Sequence, residues 1–273
     1  MSLRKLQLWI ALGVVGAVST TCTHMNPEPA DDRQHTMAPA TAGGAGDGGE
    51  GGGGGEGGEP AGADAVTSDA AYRVQLGLIR GHLLVGVGLY REGQQIASET
   101  HMKHPEDELY AALLPALQAR NAPGFGEELQ QLAQAVENGA PPDRVESAYQ
   151  NLLNVIDRAE NAAAEPDAAQ LGEVIATLVR VAADEYVIAR AADGSVANAH
   201  EYQDAMGFVQ VAGQLAQRLE TLSNNVEAIT TIRNQLADIA SIWPGLTPPA
   251  RLSTEPAVLY GTAARIEIAS LSL

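Results

Sequence analysis

The stretch from Leu171 to Leu219 decides the fold, and it reads LGEVIATLVRVAADEYVIARAADGSVANAHEYQDAMGFVQVAGQLAQRL. Good helix formers (alanine, leucine, glutamine, glutamate and arginine) dominate here, and few segments alternate polar and apolar residues with a period of two. The dipeptide Asp193-Gly194 is typical of a turn. The stretch therefore predicts two long helices, over residues 167–192 and 199–222, joined by a short connection.

The sequence on either side of this stretch follows the same pattern. Ser68-Asp69 offers an N-cap, and apolar residues then recur at helical spacing as far as Leu89. Further helices are predicted over residues 105–120, 124–137, 142–163, 226–242 and 255–271, and breakers rich in proline, glycine or asparagine separate them. We predict an all-α fold, an antiparallel multi-helix bundle spanning residues 68–273, with a weak internal division near Glu165.

Three glycines interrupt the first predicted helix, at Gly81, Gly86 and Gly88. Each glycine inside a helix costs about 0.5–1 kcal/mol relative to alanine. Their clustering predicts that a neighbouring helix approaches this one closely.

The first 22 residues have the layout of an export signal. Arg4 and Lys5 precede an apolar run over residues 6–18, small residues follow, and then comes Cys22. The apolar run is too short for a stable membrane span. We predict a signal peptide over residues 1–22 with Cys22 as a lipidation site, which would attach the protein to the membrane by a lipid anchor. The alternative is ordinary cleavage into the periplasm, and either route exports the protein.

Residues 23–67 are predicted to be a disordered, Gly-rich linker. Their composition cannot bury enough apolar surface to offset the entropy of the chain. A coil of this length has an r.m.s. span of about 40 Å. The expected location is the cell envelope, on the periplasmic face of a membrane.

The chain is acidic, with a net charge of −18, and residues 68–273 hold 26 acidic against 13 basic side chains. Such a surface repels phosphate backbones, so nucleic acid is not an expected partner, whereas cations would suit it. The alternative is that the charge serves solubility alone. Cys22 is the only cysteine, which excludes a disulfide within the chain and argues against a catalytic thiol.

A first candidate metal site combines His82 with the segment from His101 to Glu108. His101 and His104 form a His-x-x-His pair, and Glu108 lies one turn further on. Imidazoles completed by a carboxylate form a donor set that binds iron, copper or zinc. The alternative is that His101 and His104 are capping or surface residues and that His82 is a core histidine.

A second candidate site comprises Glu185, His200, Glu201 and Asp204. His200 and Asp204 share a helix face at positions i and i+4, and two acidic helix segments joined by a turn can bring carboxylates together, as in di-metal bundles. The alternative is that these residues are solvated helix ends, with Asn198 as a cap.

The motifs of common enzyme classes are not present. His-Glu-x-x-Asp at residues 200–204 lacks the second histidine of a zinc protease, and the sequence contains no nucleophile elbow, phosphate-binding loop or haem-attachment motif. We therefore expect a protein that is not an enzyme.

The segment from Leu171 to Leu219 resembles the extracytoplasmic helical domain of bacterial high-affinity, oxidase-linked iron permeases. The resemblance lies in an acidic-Tyr helix end at residues 184–186, an Asp-Gly-x-Val turn at residues 193–196 and the sequence Glu-Tyr-Gln-Asp-Ala-Met at residues 201–206. It singles out Glu185, Glu201 and Asp204, and it implies a detached periplasmic module that binds or delivers metal or docks with a transporter. The stretches at residues 81–86, 104–105 and 108–110 resemble, more loosely, periplasmic iron-uptake proteins of the imelysin type.

The predicted function is a metal-binding protein, with iron favoured and copper or zinc as alternatives, accessory to metal uptake or homeostasis. An envelope metal transporter is the expected partner. The alternative is a metal-free helical interaction module of the cell envelope.

Overall fold

The computed structural model describes residues 62–105 and 109–273, and this part of the chain forms ten α-helices and no strand. The prediction of an all-α fold is confirmed. The helices are α1 (Gly62–Thr67), α2 (Asp69–Arg91), α3 (Gln95–His104), α4 (Tyr110–Ala119), α5 (Gly126–Glu137), α6 (Pro142–Glu160), α7 (Ala168–Ala189), α8 (Ala199–Leu222), α9 (Val226–Ala240) and α10 (Ala257–Ser270).

The first helical turn begins earlier than the sequence indicated. Ser68 does cap α2, accepting a hydrogen bond from the backbone N–H of Ala71 at 3.2 Å. However, α1 covers residues 62–67, which the sequence pattern places in the linker. Ala65 is buried in the core, and its carbonyl accepts a hydrogen bond from Arg120 at 2.8 Å. These tertiary contacts stabilise a helix that composition alone does not predict.

The connection after α2 also differs from the prediction. Residues 95–104 form the helix α3, and Pro105, expected to start the next helix, caps the end of α3 instead. Ser98 Oγ donates a 2.7 Å hydrogen bond to the carbonyl of Gly86 on α2, and His101 and Met102 are fully buried. Packing against α2 therefore defines α3, which has little amphipathic pattern of its own.

The four C-terminal helices form a bundle. Helix α7 packs against α8 and α10, and α9 packs against the same two neighbours. Asp167 and Gln170 form a capping box at the start of α7. Between α7 and α8, Gly194 adopts a φ of +84° in the predicted turn, a conformation that glycine alone adopts readily.

Helix α2 crosses α8 at two glycines, one on each helix. A Cβ on Gly207 would lie 2.6 Å from the carbonyl oxygen of Gly81, so the two backbones touch. A Cβ on Gly86 would collide with α3, and one on Gly88 would lie 2.9 Å from Leu246. The predicted close approach is confirmed. At these three glycines, the elements that approach α2 are α8, α3 and the segment after α9.

None of the helices in the described residues is both long and apolar enough to cross a lipid bilayer. The predicted signal peptide, residues 23–61 of the predicted linker and the lipidation site at Cys22 lie outside the described residues.

Candidate metal centre

Three helices present imidazole nitrogens to one buried carboxylate. Asp204 on α8 is 1% exposed. Its Oδ1 lies 2.7 Å from Nδ1 of His82 on α2 and 3.0 Å from Nδ1 of His101 on α3. Its Oδ2 lies 3.0 Å from Nδ1 of His200, one turn earlier on α8. The two clusters that the sequence presented as separate candidates therefore form a single site.

The glycine contacts explain why these groups meet. Gly81 precedes His82, and Gly207 lies three residues after Asp204. The crossing of α2 and α8 at these glycines therefore places the His82 and Asp204 side chains next to each other. The contact of Gly86 with α3, secured by Ser98, brings His101 to the same place. The site thus depends on close backbone packing of three helices.

Gln203 determines which ring nitrogen of His101 carries a proton. Its side-chain N–H donates to the carbonyl of Leu246 at 3.0 Å, which orients its Oε1 toward Nε2 of His101 at 2.8 Å. An amide oxygen only accepts hydrogen bonds, so Nε2 of His101 must be the donor. In the neutral ring, Nδ1 then presents a lone pair to Asp204. Histidines that bind metals are typically oriented by such a bond on the other nitrogen.

The charges within the centre shift the pKa values of its own side chains. Burial alone would raise the pKa of Asp204, but the neighbouring His82 and His101 hold that pKa well below its usual range. Burial opposes the charged form of His200 as well, yet the hydrogen bonds and charges of Asp204 and Glu201 raise its pKa to about 10. Without a metal, a proton on His200 balances part of the charge of the carboxylate. A cation can take the place of such a proton.

Two further carboxylates lie at the outer edge of the centre. Glu201 Oε1 lies 3.9 Å from Nδ1 of His200 and accepts a 3.1 Å hydrogen bond from the side chain of Asn198, the N-cap of α8. Glu185 of α7 is buried, and its carboxyl group lies close to that of Glu201. Burial opposes ionisation of Glu201, but the hydrogen bonds from His200 and Glu185 lower its pKa overall. The His200 side chain is 22% exposed, so this edge reaches solvent.

The structure brings together every predicted metal ligand whose side chain it describes. They are His82, His101, Glu185, His200, Glu201 and Asp204. Two sets, His82/His101/Asp204 and His200/Glu201/Asp204, each hold ligand atoms within 4.8 Å of one another. The side chain of His104 and the whole of Glu108 lie outside the described residues. His101 is fully buried, so the alternative that it is a surface residue is wrong.

Sequence reasoning missed three residues that shape the site. Gln203 orients His101, Gly207 allows α2 to approach, and the ring of Phe208 packs edge-on against His82 at 5.2 Å between centroids. The sequence offered one signal for them. Gly207 is a glycine inside a strongly helical segment, directly after the acidic motif at residues 201–206.

The C-terminal helices can now be compared with known proteins. Residues 161–272 match the family model of the iron permease-associated 4-helix bundle domain. The match confirms the resemblance seen in Leu171–Leu219 and extends it over α7 to α10. No curated protein and no solved structure matches the chain. The imelysin-type resemblance of the preceding helices stays a prediction.

The residues that match the iron permease-associated domain supply only part of the centre. Glu185, His200, Glu201 and Asp204 lie within the matched residues, whereas His82 and His101 precede them. The match begins at residue 161, close to the division expected near Glu165.

Proposed function

We propose that this chain is a metal-binding protein accessory to iron uptake, and that its ion is held by His82, His101 and Asp204. The observation that carries the proposal is the convergence of three imidazole Nδ1 atoms, within 3.0 Å, on one buried carboxylate. Iron is favoured, and copper and zinc suit the same donors. We assign the chain no catalytic role.

The fixed tautomer of His101 supports this proposal. Gln203 takes the N–H of Nε2, so the Nδ1 lone pair and Asp204 Oδ1 face each other across 3.0 Å. Two lone pairs at that distance repel unless a proton or a metal cation lies between them. A cation bound by both atoms removes this repulsion and the cost of the buried charge.

The donor set restricts which metals fit. Imidazole nitrogens and carboxylate oxygens suit Fe²⁺, Zn²⁺ and Cu²⁺, whereas Cu⁺ prefers sulfur ligands. The ligand groups within the described residues contain no thiolate. The excess of negative charge would also concentrate cations near the protein.

The link to iron uptake rests on the match to the iron permease-associated domain. We propose that the protein acts in the cell envelope, anchored through Cys22 or free in the periplasm. A linker of some 40 residues would let the helical domain reach an envelope metal transporter. The helical domain would hold the ion and pass it to that partner.

Metal analysis of the full-length chain tests the proposal. Elemental analysis of the purified protein is followed by thermal unfolding with Fe²⁺ (without oxygen), Zn²⁺, Cu²⁺ or Mn²⁺ added singly. An ion at 100 times its Kd stabilises the folded state by about 2.7 kcal/mol, so Tm rises. His101→Asn should reduce the rise. Asp184→Asn, which removes a carboxylate next to Glu185 but outside the cluster, should keep it.

The opposite result would favour the metal-free interaction module. If no metal copurifies and no ion raises Tm, the three histidines and Asp204 form a structural network. The function would then be sought in binding an envelope protein through the helices.

A further inference from the structure

The centre contains two stacked imidazoles that face different oxygens of the same carboxylate. The rings of His101 and His200 are 4.1 Å apart between centroids and inclined by only 14°. Nδ1 of His101 lies 3.0 Å from Oδ1 of Asp204, and Nδ1 of His200 lies 3.0 Å from Oδ2. The two rings are therefore stacked face to face, and each directs one nitrogen toward a different oxygen of Asp204.

This arrangement does not suit a single ion shared by both rings. An imidazole nitrogen binds a metal through a lone pair in the plane of its ring, at about 2.0–2.1 Å. Nearly parallel rings 4.1 Å apart direct their lone pairs along two separate planes. An ion in the plane of His101 is too far from the plane of His200 to be its ligand.

His82 and His101 approach the same oxygen of Asp204. Nδ1 of His82 lies 2.7 Å from Oδ1 of Asp204, the same oxygen that His101 approaches. The two rings are inclined by 39° with centroids 6.3 Å apart, so they are splayed rather than stacked. An ion near Oδ1 can therefore have both nitrogens as ligands.

His200 has a carboxylate of its own beside it. Glu201 Oε1 lies 3.9 Å from His200 Nδ1 and is held by Asn198 from one side. The carboxyl group of the buried Glu185 lies on its other side. His200, Glu201 and Oδ2 of Asp204 thus form a second set of ligands on the solvent side of the first.

We propose that the centre holds two divalent cations bridged by Asp204. The inner ion binds His82, His101 and Oδ1 of Asp204, and the outer ion binds His200, Glu201 and Oδ2. Paired metal ions in proteins lie about 3.5–4 Å apart, which agrees with the stacking distance of the two rings. This inference rests on the proposed metal-binding function and adds the number of ions and their ligands.

The two subsites differ in chemistry and in access. The inner set has two nitrogens and one oxygen and is buried, whereas the outer set has one nitrogen and two oxygens and reaches solvent at His200. The outer ion is therefore the one that exchanges with the surroundings first. A carboxylate-rich site also binds Mn²⁺ better than a histidine-rich one.

Stoichiometry in the full-length chain tests the proposal. Zn²⁺ is titrated calorimetrically, and Fe²⁺ bound without oxygen is counted after gel filtration. We expect two ions per chain in the wild type and one in both Glu201→Gln and His200→Asn. Asp204→Asn should bind none at the same concentrations. Asp184→Asn serves as the matched carboxylate control and should bind two.

Electron paramagnetic resonance of the Mn²⁺-loaded protein supplies an independent readout. Two Mn²⁺ ions bridged by one carboxylate give an exchange-coupled spectrum whose hyperfine spacing is half that of an isolated ion. Glu201→Gln should restore the spectrum of an isolated ion. The wild-type spectrum decides the question even if that variant does not fold.

The outcomes separate this inference from the proposed function. One ion per chain, unchanged in Glu201→Gln and His200→Asn, with an isolated Mn²⁺ spectrum, would overturn the two-ion centre and leave the metal-binding function intact. No bound ion in the wild type would overturn both.

Discussion

The helices before residue 161 and the bundle that matches the iron permease-associated domain contribute differently to the same centre. The earlier region supplies two buried imidazoles, His82 and His101. The bundle supplies one imidazole, that of His200, and the three carboxylates of the centre, including Asp204. Neither region alone has the complete set of ligands. The proposed metal site is therefore a property of the junction between the two regions.

The junction has a second contact, which is made of hydrogen bonds beside a salt bridge. Arg120 donates to Asp69 Oδ1 through Nε at 2.9 Å and Nη2 at 2.7 Å. Asp69 Oδ2 accepts from the backbone N–H of Ala164, and Arg73 donates to the carbonyl of the same residue. This contact joins the start of α2 to the chain just ahead of α7. One contact of the junction is buried and suited to a metal. The other consists of hydrogen bonds to Ala164, next to a partly exposed salt bridge that lies within the earlier region.

The largest expected effect comes from separating the two regions at their glycine crossing. In Gly207→Ala the new methyl group would lie 2.6 Å from the carbonyl oxygen of Gly81, and backbone cannot move aside as a side chain can. We expect a loss of about 2–3 kcal/mol in the free energy of unfolding. Chemical denaturation with and without metal measures this loss, and the gain from metal should shrink as well.

Gly213→Ala is the matched control on the same helix. A Cβ at that position has no neighbour within 4 Å, so the variant should gain about 0.5–1 kcal/mol from helix propensity. Equal tolerance of both substitutions would show that the α2–α8 contact does not hold the regions together.

A smaller effect is expected from changing the group that orients His101. Gln203→Met removes the acceptor for Nε2–H but preserves the size of the side chain. Loss of such an orienting bond costs about 10–100-fold in metal affinity. Calorimetric titration with Zn²⁺ should show this loss, and Gln210→Met, on the exposed face of α8, should bind as the wild type does. An unchanged affinity would mean that the bundle region does not control the ligand supplied by the earlier region.

The sequence predicted the fold better than it predicted the junction. The bounds of α8 and the cap of α2 followed from local pattern, because helix propensity and capping are short-range effects. The i, i+4 pairing of His200 and Asp204 was also a local inference, and it is confirmed. That His82 and His101 join them depends on packing between residues about a hundred positions apart or more. Gly81 and Gly86 predicted a close neighbour without indicating which helix it is.

The smallest effect is expected at the salt-bridged contact of the junction. Asp69→Asn removes the charge that Arg120 pairs with. The Asp69 side chain is 39% exposed, so the loss near neutral pH should be no more than about 1 kcal/mol. Burial would raise the pKa of Asp69, but the hydrogen bond and charge of Arg120 outweigh it and lower that pKa below 3.8. Asp238→Asn, at an exposed position on α9, is the control and should have little effect.

The direction of this pKa shift fixes how the loss depends on pH. A carboxylate whose pKa is depressed by folding stabilises the protein above its unfolded pKa, and that stability is lost as pH falls through the folded pKa. The difference between wild type and Asp69→Asn should therefore be full at pH 6 and should begin to fall near pH 3.8. It should vanish once the pH is below the lowered pKa of the folded state, because protonation then removes the charge in the wild type too. Urea denaturation at several pH values measures it. A difference that persists unchanged in acid would mean that the hydrogen-bond geometry of Asp69, rather than its charge, sets its contribution to stability.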